Sequence, residues 1–426
     1  SPRIVELAST GHKDGTDRRV TVVAEVIREN VSPWNNAIFG GSGQVGGVIN
    51  GNCAIHGSVH LLGEGVADGG TSMEALDLSG ESLIHNNYEG MPALLSAKVP
   101  ALPTTEFGGE TISTLDAKLR VKNGAVGVSG ESHIGEADIF GNAFKETMDR
   151  IYIETDYSAT RWTGTAVVDG EPKPENVQSD NGTNALYDLG DEVQMPDLSA
   201  PYTDPGGTSW ASYEEYYSAN ALHLPALTLD DSCAAGTAIQ GHPFPAGVTV
   251  TTDGCQFTVT QGTNTITYNP SAAGGVASLA ISGMIQVDGD LVVGKKNLDI
   301  SYAGSGTIFA GGEPGNIDVH SDLLPTGTFP TTDVLGLMAK TDMNLATGPG
   351  DSELYMAAAF FAGVQITSLK QNQIAGAFVC DYFDMGTNIP KIYQVPALVD
   401  NLPPGLIGAD PIWVTTGFQE RSWRVD

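Results

Sequence analysis

The sequence predicts an all-β protein: a right-handed parallel β-helix, or β-solenoid, interrupted by an irregular insertion. Two observations carry this. The 426 residues include 53 Gly and 23 Pro and few aromatics, a composition suited to many short strands joined by tight turns. A short unit also recurs: Gly, a small polar residue, two or three residues containing Val, Ile or Leu, then Gly or a turn residue. It reads "GNCAIHG" (51–57), "GSVHLLG" (57–63), "GESLIHN" (80–86), "GAVGVSG" (124–130) and "GESHIGE" (130–136), and returns as "GDLVVGK" (289–295) and "GNIDVHS" (315–321). Its irregular period fits stacked coils with loops of variable length rather than a strict hexapeptide repeat.

Taken in order, residues 1–35 read as a strand pair, "RIVELAST" and "RRVTVVAEVI" around the polar turn "GHKDGTD", because apolar and polar residues alternate. Residues 36–140 form the first part of the solenoid. Residues 141–280 lack the repeat unit and read as an acidic insertion, with helix candidates at "NAFKETMDRIYIE", which passes quickly into a β-like run, and at "SWASYEEYYSANAL", and a hairpin at "CQFTVTQGTNTITYNP". Residues 281–426 supply the second part of the solenoid, with "VPALVDNLPPGLIG" as a Pro-rich tail extended on the surface.

Charge excludes whole classes of partner. Acidic residues number 51 against 20 basic ones, a net charge of −31, which repels nucleic-acid phosphate and anionic lipid. No apolar run reaches the roughly 18 residues of a membrane span, and the opening "SPRIVELAST" reads as a processed or truncated start. Of the four cysteines, Cys233 and Cys255 bracket a turn-rich segment and are expected to form a disulfide. Cys53 and Cys380 sit in apolar runs that suit buried thiols.

Reactive motifs are few. His56 and His60, near Cys53, have a metal-like spacing, but on one strand residues four apart are about 13 Å apart and cannot share an ion. His85, His133 and His320 occupy comparable repeat units, which reads as a structural histidine ladder along one face. "GSGQVG" (41–46) matches a dinucleotide fingerprint without a following helix and reads as a turn. Asp230 with Asp231, and Asp288 with Asp290, are close carboxylate pairs of the kind that can act on a sugar. Asp188, Asp191, Glu192, Asp197 and Asp204 offer oxygen ligands for calcium, at spacings unlike a helix–loop–helix site. No cofactor is required by any motif.

"GDLVVG", "TFPTTDVLGLMAKTDMNLA", "LYMAAAFFAGVQITS", "QNQIAGAFV", "VPALVDNLPPGLIG" and the closing "SWRV" together resemble the C-terminal β-helical region of bacterial PilX-type pilus-assembly proteins, which are minor-pilin-like. "ELASTG" with "RRVTVVAEV", then "NAIFG" and "INGNCAIHGSV", is similar to the section preceding that region. The resemblance implies a non-enzymatic, extracellular subunit of a type IV pilus or similar filament, serving assembly, display or adhesion. Its partners would be itself, other pilin-like subunits or a separate N-terminal helix chain. The alternatives are a β-helical polysaccharide lyase or hydrolase using the carboxylate pairs, and an adhesin that binds surface glycans.

Overall fold

The computed structural model describes residues 3–43, 47–63, 74–154, 161–183, 193–270, 276–348, 350–386 and 388–425. The protein is all-β, with short helices at Ala93–Ser96, Tyr213–Asn220 and Ala234–Gly241. It divides into two compact units, one formed by residues 1–32 with 410–426 and the other by residues 33–409.

The smaller unit is a three-stranded antiparallel sheet. Arg3–Lys13 pairs with Thr16–Asn30 across a two-residue turn, and Trp413–Val425 pairs along the other side of Thr16–Asn30. Asp14 and Gly15 both take positive φ, 52° and 76°, the backbone a tight hairpin with right-handed twist requires and the reason Asp-Gly suits it. The closing "SWRV" therefore belongs to this sheet and not to the second part of the solenoid. Its alternating residues complete a three-strand face that only long-range pairing could reveal.

The larger unit is built on three parallel ladders. One buried column of the first runs Leu222, Ile285, Ile308, Leu337, Phe360, Phe378, Ile38, Val59, Leu119, Ile151. The second runs Leu227, Leu291, Ile317, Met343, Ile366, Phe383, Ile49, Leu76, Val126, Trp162. The third runs Ala277, Ile300, Leu323, Met356, Ile374, Ile392, Ile55, Ile84, Ile134, Val177. All of these side chains belong to one buried cluster. The chain visits the ladders in a fixed cycle: Ile38–Gly40 in the first, Ile49–Gly51 in the second, Ala54–His56 in the third, then Val59–Leu61 in the first again.

Ladder order differs from chain order. From Ile38–Gly40 the coils advance to Arg150–Ile153 at one end; the chain re-enters at the opposite end with Leu222–Leu229 and advances until Gln373–Asp384 lies against Ile38–Gly40. Three strands inside the expected insertion, Arg150–Ile153, Trp162–Thr163 and Leu222–Leu229, thus belong to the ladders. The helix expected at "NAFKETMDRIYIE" is absent: its second half is the strand Arg150–Ile153, whose Ile151 and Ile153 are drawn into the core by parallel pairing. The second helix candidate does contain Tyr213–Asn220, capped by the Ser212 hydroxyl accepting from Glu215 N at 3.0 Å.

At the Leu222–Leu229 end, Thr249–Asp253, Gln256–Gln261 and Asn264–Asn269 form an antiparallel extension of Ala277–Val293. Phe257, Val259, Ile266 and Tyr268 join the core from it, with Ile239 of the Ala234–Gly241 helix. The Cys233–Cys255 disulfide ties helix to hairpin.

The outward positions of the first ladder are also buried: Phe39, Phe309, Met338, Phe361 and Val379 have no exposure. Pro403, in the segment expected as an extended surface tail, comes against this outer side at Gly336. That segment instead turns through a 3-10 helix at Pro396–Asp400 and buries Leu398, Leu406 and Ile407, and Trp34 Nε1–H donates to the Ile407 carbonyl at 2.7 Å. Once both faces of this ladder are covered, it needs apolar side chains on each, so a polar surface tail would leave the outer layer wet.

Phe378 stands where the last coil meets the first, 4.9 Å between ring centroids from Phe360 and in register with Ile38. Phe378→Ala is expected to cost about 3–5 kcal/mol, measured by denaturant unfolding. Cys233→Ser with Cys255→Ser is expected to cost about 3 kcal/mol, seen as faster hydrogen exchange at 249–269 while the three columns stay protected.

Candidate functional site

The histidines of "GNCAIHGSVH" face different environments. In the third ladder His56 stacks on His85 at 4.7 Å and on Tyr393 at 4.4 Å, and its Nδ1–H donates to the Asn87 carbonyl at 2.9 Å. His60, in the first ladder, is edge-on to Phe39 at 5.3 Å, and both of its buried ring nitrogens lack a hydrogen-bond partner. Gly57 lies between them at φ 142° and leaves no room for a Cβ against Gln394. The histidine ladder is short: His133 pairs with Leu83 rather than His85, and His320 bonds Asp351 at 2.6 Å. Among the described residues, no three His, Cys, Asp or Glu are grouped to hold a metal ion.

The carboxylate pairs are tied into the fold. Asp230 accepts from Ser232 N at 2.9 Å, Asp231 pairs with Lys295, and Asp290 accepts from Asn316 N at 2.8 Å. Asp288 faces His223 Nδ1 at 3.1 Å and accepts from Gln286 Nε2 at 2.9 Å. Ser218 Oγ is 3.4 Å from His223 Nε2, which outlines a hydrolase-like triad. The same nitrogen, however, is 2.8 Å from the Ser218 carbonyl, so its proton points there and it cannot accept one from the hydroxyl. Of the calcium candidates, Asp188, Asp191 and Glu192 lie outside the described residues. Asp197 caps its own turn through Ser199 N at 2.7 Å. Asp204 accepts from Thr208 N at 2.9 Å and Trp210 Nε1 at 3.1 Å, bonds that hold its carboxyl below the usual range. The thiols Cys53 and Cys380 are free and buried, and burial pushes Cys53 up to about 12.

Surface features mark the three-stranded sheet more strongly than any reactive group. Leu7, Val22 and Trp423 lie in one cross-strand row, flanked by Val5, Ala24, Val20 and Val26, so one face is largely apolar. Leu7 is 57% and Trp423 63% exposed. The 49 residues of this unit hold seven of the 20 basic residues and eight of the 51 acidic ones, a net charge of −1; the ladder unit carries the remaining −30. Sequence reading picked out the two long strands but not this face, because its third strand is nearly 400 residues away in the chain.

No protein-family model matches the chain, and no curated protein matches it. Among solved structures its fold is similar to that of the competence-associated pilin ComZ from Thermus thermophilus, with a TM-score of 0.62 over 99% of this chain and 81% of that one, at 20% sequence identity. The likeness is one of fold. No helix among the described residues is long and apolar enough to cross a membrane.

Burial holds His56 down at about 3 and His85 at about 4, so both stay neutral in the fold. The unfolded chain takes up these protons below about pH 6.5, so their contribution to stability is complete above that pH and is lost on acidification, by about 1.4 kcal/mol per pH unit for each histidine. Asp77 and Asp116, raised chiefly by burial, work in the opposite direction. The comparison is therefore between wild type and His56→Gln/His85→Gln: unfolding free energies from pH 7 to 4.5 should fall less steeply in the variant.

Proposed function

We propose that this protein is a structural, pilus-related subunit in which a right-handed parallel β-solenoid is carried with a pilin-type sheet. The observation that carries this reading is the fold likeness to a pilin over almost the whole chain. The cyclic order of the ladders supports the solenoid, and parallel connections are right-handed in about 98% of cases. The resemblance to PilX-type proteins agrees with it. Its place would be outside the cell, in or on a filament, where the subunit serves assembly, display or adhesion.

The three-stranded sheet is the assembly surface in this reading. Its apolar face suits an apolar helix of the pilin type, from a separate chain or a neighbouring subunit, and its outer strand edges suit backbone pairing. Near-neutral charge lets this unit approach another copy, whereas ladder units at −30 repel one another unless salt or bridging calcium intervenes. A lyase or hydrolase is the weaker reading, since the carboxylates it would use are held by neighbouring groups and the Ser218 triad has its proton misdirected.

Sedimentation of the intact chain, of a chain lacking residues 1–28, and of Leu7→Asp/Trp423→Asp tests this, each at low salt with and without a calcium chelator. The intact chain is expected to self-associate, both alterations to loosen it at least tenfold, and the chelator to weaken it further. A monomer throughout would overturn the assembly reading.

A further inference from the structure

The most exposed large apolar side chain among the described residues is Phe140, at 89%, and Ile139 beside it is 66% exposed. Both line a hollow of about 200 Å³ between the hairpin of Thr104–Phe107 with Glu110–Ser113 and the loop 138–144. Phe107 and Phe144 line the same hollow, and so do the carboxylates Glu110 and Asp138. The loop is held in place. Ser113 N donates to the Ala143 carbonyl at 2.9 Å, Gly141 N to Glu110 at 3.3 Å and Glu146 N to Asp138 at 2.8 Å. A fixed backbone therefore presents four apolar side chains around one small cavity, a surface that gains free energy when it is covered and needs little ordering to receive an occupant.

The surroundings of this hollow are acidic. Burial, and then the like charges of Glu89, Glu136 and Asp138, raise the Glu146 carboxyl above its usual range. Lys145, 5.4 Å from the centre of the Phe107 ring, is matched by Asp149 and Asp180. An occupant that fits must bring one large apolar group with positive charge around it.

The three-stranded sheet offers this combination. Its apolar face holds the row Leu7, Val22 and Trp423, and strand alternation places Lys13, Arg18 and Arg28 on that same face, with Glu420 the carboxylate on it among the described residues. A hollow of about 200 Å³ admits one large side chain, and Trp is a residue type that often anchors an interface by filling such a pocket. Phe140 and Trp423 are both open to solvent in the single chain, so the group that covers the hollow comes from a second copy. We infer that the three-stranded sheet of one copy docks on the Phe107–Phe140 hollow of the next, with Trp423 seated in it and the basic residues of the same face toward Glu110 and Asp138. A contact between two unlike surfaces leaves each copy with one of each unused, so it propagates into a filament or closes into a ring. The inference rests on the proposed role of the sheet as the assembly surface and adds the surface that it meets.

Sedimentation compares the full chain, Leu7→Asp/Trp423→Asp, Ile139→Ser/Phe140→Ser, and an equimolar mixture of the two variants. The hollow variant is expected to associate at least tenfold more weakly than the full chain. The mixture is expected to give a dimer and nothing larger, because each variant then supplies one intact surface. In the unaltered chain, raising the concentration should slow hydrogen exchange at 138–144 and 420–425 together, a readout that does not depend on how the variants fold. A hollow variant that associates like the full chain, a mixture without dimer, or association that protects 420–425 while 138–144 is unchanged overturns this contact. The first and third of these outcomes leave the sheet as an assembly surface with another partner, whereas a monomeric full chain overturns both readings.

Discussion

Parallel register is the constraint on which the ladder unit depends. Strands about 4.8 Å apart share a side-chain face, so each inward residue must tolerate its equivalents above and below. The column through Ile374, Ile392, Ile55, Ile84 and Ile134 shows the result: branched aliphatics of one size stacked without polar interruption. A one-residue slip would turn this column outward and bring Tyr393, His56 and His85 inward. The stacked rings are thus a consequence of register, tolerated because Asn87 satisfies the one nitrogen that faces it.

Continuity of the ladders follows from the same constraint. Two chain segments that are remote in sequence become one stack because Phe378 and Cys380 meet Ile38 and Gly40 in register. A parallel ladder leaves unpaired backbone at its ends, and at the Leu222–Leu229 end the strand direction reverses into a disulfide-linked hairpin, which ends the parallel series. The outer face of the first ladder is closed differently, with Tyr217 packed on Phe309 and Pro403 against Gly336.

The two units divide the physical labour. The ladder unit holds nearly all the net negative charge and also exposes Ile139, Phe140 and Val168; the sheet unit is nearly neutral and leaves Leu7 and Trp423 in solvent. Apolar exposure at a near-neutral surface marks an interaction face, and here it falls on the unit where approach of another copy costs least. That separation, more than any reactive side chain, makes a structural reading preferable to an enzymatic one.

The sequence by itself determined the all-β class, the turn-bounded repeat, the long paired strands near the start, and the Cys233–Cys255 link, because each is a local signal of period, composition or spacing. His56 and His60 do not lie on one strand, as the spacing of about 13 Å assumed; the turn at Gly57 places them in different ladders. Only the tertiary structure decided the order of the coils, the recruitment of 150–153 and 222–229 from the apparent insertion, and the pairing of 413–425 with 16–30. These depend on contacts between residues from about 30 to about 400 positions apart in the chain. The continuous apolar runs "VLGLMA" and "AAAFFA" were a legible sign that the first ladder is covered on both faces, but nothing local identified the Pro-rich segment as part of its cover.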